Sequence, residues 1–249
     1  MKISGAWYAL GGSKFRELYT ILHLPYTSMV LSYVLVGAAV SPHVYPERLS
    51  LALVAYFLGL GLSAHALNEL HARHWGEALG KRELEALFLI PLAGALSIGA
   101  YGMLVLYASA GGLLAALVLL AFIAMETFFL FAYNTDFSGE WFHSDVAFAF
   151  SWAALPTIIS YYVNALTISA VPILISLAMA ATAGIEINLS RWCKDFRRKS
   201  QLTEMHFADN SILSMKTAEL IARPEKALKL IVFVVDLTAV GLIVYKVLP

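Results

Sequence analysis

Three long blocks of the chain carry no formal charge. No Asp, Glu, Lys or Arg occurs from Leu18 to Pro46, from Ala86 to Met125, or from Val146 to Ile185. A helix that crosses a bilayer needs about 20 mostly apolar residues. The first block therefore predicts one span, roughly Ile21 to Ser41, ended by Pro42 and Pro46. A shorter apolar run predicts a second span, about Leu49 to Leu67. The block from Ala86 holds two spans, divided at Ala108-Ser109-Ala110-Gly111-Gly112, the second continuing past Glu126 to about Tyr133. The block from Val146 holds two more, turning near Asn164, and a seventh runs from about Ala227 to Val247. Between them lie three polar stretches, Asn68 to Glu85, Asn134 to Asp145, and Arg191 to about Arg223. Within the last, Ile212 to Ile221 has the pattern of an amphipathic helix lying at the membrane interface. The predicted fold is all-α: a polytopic membrane helical bundle of about seven transmembrane helices, one domain over residues 1–249.

Composition agrees. The chain is 60% hydrophobic and 14% charged, with a mean hydropathy of +0.74. Soluble domains carry about 25% charged residues, so this chain lacks the charge to cover a soluble surface. Seventeen basic residues balance 17 acidic ones, which argues against a nucleic-acid partner. Their placement carries more information. With the N-terminus inside, Lys2, Lys14, Arg16, Arg73, Lys81, Arg82 and nine basic residues from Arg191 to Lys229 fall on the inner side. Only Arg48 and Lys246 fall outside. That split obeys the positive-inside bias and predicts a multi-pass protein of the cell membrane with its N-terminus and polar loops in the cytoplasm. The apolar run after Lys2, Lys14 and Arg16 is long enough to stay in the bilayer rather than be cleaved as a signal. A single cysteine, Cys193, excludes an internal disulfide and a CxxC metal pair.

Chemistry is expected at the polar loops. At the end of the second span, His65, Asn68, Glu69 and Ala72 share one helix face, since residues three and four apart stack. A carboxylate beside an amide oxygen suits Mg²⁺, which bridges to phosphates; adding imidazole shifts the preference toward Zn²⁺, Mn²⁺ or Fe²⁺. The bland alternatives are a polar cap where the helix leaves the membrane, and a simple Glu69–Arg73 pair. The second polar stretch contains Asp136, Glu140, His143 and Asp145 but no Lys or Arg. It can hold a metal, contact a substrate head, or pair with the basic stretch after the sixth span. There, Glu186 and Asn188 end an apolar helix and are followed by Arg191 and Lys194, which suit a diphosphate. Arg197-Arg198-Lys199 suits anionic lipid headgroups. Two acids lie deeper, Glu126 in the fourth span and Asp236 in the seventh, and intramembrane acids are functional candidates by default. Glu126 can join the other carboxylates; Asp236 can bond a neighbouring helix or stay neutral. The chain has no Gly-rich phosphate loop, no HExxH and no Ser-His-Asp pattern.

These residues in this topology resemble the UbiA superfamily of intramembrane prenyltransferases. Phe15-Arg16-Glu17-Leu18, His23-Leu24-Pro25-Tyr26-Thr27 and Val36-Gly37-Ala38-Ala39 resemble the family's first helix. Ala66-Leu67-Asn68-Glu69 stands where the family has its first Asp-rich motif, and Ala154-Leu155-Pro156 with Ser160-Tyr161 resembles its fifth-helix Leu-Pro and Gly-Tyr segment. The departures are Ala72 and Gly76 at later Asp positions, a second motif reduced to Glu186 and Asp195, and seven spans against the family's nine. The resemblance implies a Mg²⁺-dependent transfer of a prenyl or related lipid group from a diphosphate donor. In this sequence it implies Asn68, Glu69, Glu186 and His65 at the metal, with Asn68, Glu69 and Glu186 catalytic. Arg73, Asp136, Glu140, His143, Arg191 and Lys194 would bind substrate. Two rivals remain: a lipid-modifying enzyme using Zn²⁺, Mn²⁺ or Fe²⁺ on His65, Glu69, His71, His74 and His143, and a non-catalytic lipid carrier or scaffold.

Overall fold

A computed structural model describes residues 6–10, 12–73, 77–135, 137, 141–199, 202–206 and 208–248. Seven of its helices are long and apolar enough to cross a membrane: Lys14–Ala39, Pro46–His71, Lys81–Tyr107, Gly112–Asn134, Asp145–Ala165, Ala170–Arg198 and Thr217–Val247. The chain is an all-α, multi-pass membrane bundle. The first and fifth spans form its centre: 67% and 83% of their most apolar windows are buried, against 11% for the third and 17% for the fourth and seventh. The outer helices therefore spend most of their apolar surface on lipid, where exposed Leu and Phe cost nothing.

The centre is held by close backbone approach. A Cβ added to Gly37 would lie 2.1 Å from the Thr157 carbonyl oxygen, so only glycine fits where the first span crosses the fifth. Ser160 Oγ donates to the Val34 carbonyl at 2.6 Å across the same contact. Small residues and interhelical hydroxyl bonds are how membrane helices associate where lipid removes the hydrophobic drive. The seventh span lies along the other side of the first, where Asp236 accepts from Ser28 (2.8 Å) and Ser32 (2.7 Å). The bond to a neighbouring helix expected of Asp236 is present.

The spans differ in detail from their sequence pattern. The first is two helices, α1 (Lys14–Ile21) and α2 (Leu24–Ala39), broken at His23, whose φ of 45° is left-handed. Pro25 has no N–H to continue the ladder back to Ile21. The second span is α3 (Pro46–Tyr56), a π-helical stretch Phe57–Ala64, and α4 (His65–His71). Spans three and four are α5 (Lys81–Tyr107) and α6 (Gly112–Asn134), turning at the expected Ala108–Gly112. The fifth is α7 (Asp145–Ala149), a second π stretch Phe150–Ala154, and α8 (Leu155–Ala165). The sixth, α9, continues as helix to Lys199, so Arg191 and Lys194 lie on helix rather than loop. The expected interfacial helix over Ile212 to Ile221 is not one element. Ile212–Lys216 pairs antiparallel with Leu202–His206, and α10 begins at Thr217. Asn210 turns the hairpin at φ 62°, and Asp209 Oδ1 accepts from the Ser211 N–H (2.9 Å) and hydroxyl (2.6 Å). The Ser211 hydroxyl, then its N–H, hold the Asp209 carboxyl below the usual range.

Candidate functional site

The polar-loop end of the bundle is built around a chain of rings. Tyr8, from the segment before α1, is buried and its hydroxyl meets His23 Nδ1 at 2.5 Å. Burial, with Tyr26 and Glu186 nearby, pushes the Tyr8 phenol well above its ordinary value, so it keeps its proton. The His23 ring stacks on His65, centroids 4.2 Å apart and 12° from parallel. His65 packs on Trp152 at 5.0 Å, Trp152 stacks on Phe148, and Phe148 meets Tyr133, which stacks on His143 at 4.6 Å. The two π stretches place this line. One ends immediately before His65 and the other contains Trp152. Each extra residue turns the following helix by about 100°, and π turns recur at functional sites.

Against these rings lies the polar-loop end of α9. Glu186 is buried, and its Oε1 is closed to solvent without a hydrogen-bond partner among the described residues. It lies within electrostatic range of Tyr8, Tyr26, Tyr33 and Tyr133, and of Arg191 and Lys194. One turn on, Ser190 Oγ shares a 3.0 Å hydrogen bond with the Tyr26 hydroxyl. The Lys194 ammonium stands over the Tyr26 ring, 5.9 Å from its centroid. Glu186, Ser190 and Lys194 repeat every four residues, so α9 presents a carboxylate, a hydroxyl and an ammonium on one face.

The expected residues divide accordingly. His65 and Glu186 both enter this site, and His65 Nε2 is likewise closed to solvent without a hydrogen-bond partner among the described residues. Glu69 is 1% exposed, one turn beyond His65 on α4, and Asn68 beside it is half-buried. Arg73 lies beyond, where its guanidinium is 3.7 Å from Glu17 and donates to the Leu79 carbonyl at 2.8 Å. Buried Glu17 also accepts from the N–H groups of Ala78 (2.7 Å) and Leu79 (3.3 Å). That arrangement ties the first polar loop to α1. Arg191 pairs with Asp145 at 2.5 Å and donates to the Tyr133 hydroxyl and the His143 carbonyl, the pairing of second and third polar regions anticipated in the sequence. His143 Nδ1 is 2.8 Å from the Tyr133 carbonyl. Arg197, expected at lipid headgroups, pairs with Glu225 of α10, as does Lys229 at 2.9 Å. Asp136, Glu140 and His74 lie outside the described residues. Among those described, no three His, Cys, Asp or Glu side chains gather as a metal-ligand set. Glu126 does not join the polar end: it accepts from Tyr56 at 2.7 Å, higher in the bundle.

Tyr8, His23, Tyr26, Tyr133, Trp152 and Ser190 join the site without a role assigned from the sequence, although His23 and Tyr26 carry part of the family resemblance. The signal existed: His23, Tyr26 and Tyr33 punctuate an apolar block at helical spacing, and Ser190 falls midway between Glu186 and Lys194.

No family model matches this chain, and neither does any curated protein or solved structure. The fold and site therefore define a class alone: a multi-pass α-helical membrane protein with a buried, mixed-charge, aromatic-walled site at one end of its bundle.

Proposed function

We propose that this chain is a UbiA-like intramembrane transferase that binds an isoprenyl diphosphate at the polar-loop end, with those loops in the cytoplasm. The observation that carries the reading is Glu186: a carboxylate with a free, buried oxygen, facing a wall of rings and followed on its own helix face by Lys194. A buried carboxyl with an oxygen lacking a hydrogen bond among the described residues is costly inside a membrane unless it has work to do. Lys194 and Arg191 suit diphosphate oxygens, and the rings of His65, Trp152 and Tyr26 suit the first isoprene unit. A face of π electrons stabilises positive charge developing on an allylic carbon as diphosphate departs.

Mg²⁺ holds diphosphates through one or two carboxylates plus phosphate oxygens and water, so a pre-gathered set of three ligands is not required. Glu186 and Glu69, with Asn68, are the residues that would hold it; when bound, the ion offsets the charge of the leaving diphosphate. The chain's own residues supply the rest. Lys194 and Arg191 bind the phosphates, and the rings exclude water from the carbon that must not be hydrolysed. The orientation rests on the basic residues, 15 of 17 on the polar-loop side.

The test is equilibrium binding of an isoprenyl diphosphate to purified protein with and without Mg²⁺, alongside metal analysis. Mg²⁺-dependent binding supports the proposal. Stoichiometric Zn, Mn or Fe with no diphosphate binding favours the histidine-metal alternative, and neither result leaves a carrier or scaffold.

A further inference from the structure

A cavity lies away from the polar end. It is a groove of about 150 Å³ between the second, third, fourth and fifth spans, open on one side and almost wholly apolar. Gly59, Gly99 and Gly102 line it, and at Gly99 and Gly102 the missing Cβ lets the Ile123 and Leu119 side chains of α6 pack close. A Cβ on Gly99 would lie 2.8 Å from Ile123 and one on Gly102 3.4 Å from Leu119.

Glu126 lines this groove. Its Oε1 accepts the Tyr56 hydroxyl at 2.7 Å, while its Oε2 is closed to solvent and has no hydrogen-bond partner among the described residues. The other polar groups of the lining are engaged. Thr127 donates to the Ile123 carbonyl at 2.7 Å, and Arg48 donates to the Val163 carbonyl at 2.8 Å. Oε2 therefore stands at the groove wall with its hydrogen-bonding capacity unused.

We propose that the groove binds a membrane-dissolved molecule of the long-chain alcohol class, its apolar body between the helices and its hydroxyl donating to Glu126. A bilayer acyl chain would fill the space but leave Oε2 unsatisfied, and an ammonium head would have to shed its water inside the membrane. Tyr56 and His65 are nine residues apart on one span, about 13 Å. A head at Glu126 therefore sits in a separate site, and the inference stands independently of the diphosphate reading.

The probe is hexadecanol carrying a diazirine in its chain, photolysed with full-length wild-type protein in lipid nanodiscs and mapped by peptide mass spectrometry. The label falls on the groove-lining residues of the second to fifth spans. Unlabelled hexadecanol displaces it about tenfold better than hexadecyl methyl ether, the value of roughly one hydrogen bond. Glu126→Gln, which replaces the free acceptor with a donor, abolishes that preference, and Tyr56→Phe preserves it. Equal competition by the ether, or labelling away from the groove-lining residues of the second to fifth spans, overturns the proposal without needing any variant. An unchanged preference in Glu126→Gln overturns it as well.

Discussion

His23 and His65 lie face to face, 4.2 Å apart, joining the break in the first span to the end of the π stretch in the second. Each residue sits where its helix departs from regular geometry, so the stack fixes two irregular segments against each other. Stacked rings of this kind contribute about 0.5–1.5 kcal/mol beyond their burial. His65→Phe keeps the ring and is expected to melt within a few degrees of wild type in detergent. His65→Ala removes ring and volume and is expected to lower the midpoint clearly. Equal midpoints for the two would contradict the stack as a structural joint.

The crossing of the first and fifth spans predicts a steep response at Gly37. With 2.1 Å available to a Cβ, Gly37→Ala must push the Thr157 backbone away, and overpacking of this kind costs about 1–3 kcal/mol. Unfolding in a mixed-micelle titration measures it. Gly184→Ala, where a Cβ meets nothing within 4 Å, is the control and is expected to be neutral or slightly stabilising.

Arg191 has a structural partner and a proposed ligand role, and the two separate experimentally. Its pair with Asp145 is about one-third exposed and is worth at most about 1 kcal/mol. Asp145→Ala removes this pair alone, whereas Arg191→Ala also removes the bonds to Tyr133 and His143 and is expected to destabilise the fold somewhat more. If Arg191 also contacts diphosphate, Arg191→Ala weakens its binding tenfold or more while Asp145→Ala changes it little. Equal effects on binding would reduce Arg191 to a tether.

Tyr8 predicts an alkaline limit. Its phenol is held above the ordinary value of about 10, so above that pH the unfolded chain has lost a proton that the folded chain retains. The contribution of the buried neutral phenol is complete below about pH 10 and is lost progressively as the pH rises further. Tyr8→Phe is expected to flatten the fall in unfolding midpoint between pH 9.5 and 11.

Much of the bundle was legible in the chain because lipid imposes a simple rule: backbone must be helical and side chains apolar for about 20 residues. The seven spans and the turn at Ala108–Gly112 follow from that rule. The His23 break had a local signal in Pro25, whereas nothing in the local sequence marks the two π stretches. His65 and Glu186 could be picked out singly as polar residues at the ends of apolar runs, whereas the ring wall from Tyr8 to His143, assembled from helices distant in sequence, could not. The hairpin at Leu202–Lys216 was misread because Ile212, Leu213, Met215 and Ile221 also fit a helical face. The turn chemistry of Asp209-Asn210-Ser211 was the better signal.

Orientation is tested by labelling. Trp141→Cys and Ala208→Cys are exposed at the polar-loop end, and Ala110→Cys is exposed at the other; the native Cys193 is buried. An impermeant maleimide added to intact cells is expected to reach Ala110→Cys alone. Labelling at Trp141→Cys or Ala208→Cys from outside would invert the topology.

The most direct measurement of the central claim is the affinity of Glu186→Gln for an isoprenyl diphosphate in the presence of Mg²⁺. Glutamine keeps the size and polarity of the side chain but not its charge, so the protein is expected to extract and melt as wild type does. The account predicts that Mg²⁺-dependent binding falls at least tenfold while the small residual binding, held by Lys194 and Arg191, no longer responds to the ion. Wild-type affinity with full Mg²⁺ dependence in Glu186→Gln would contradict it.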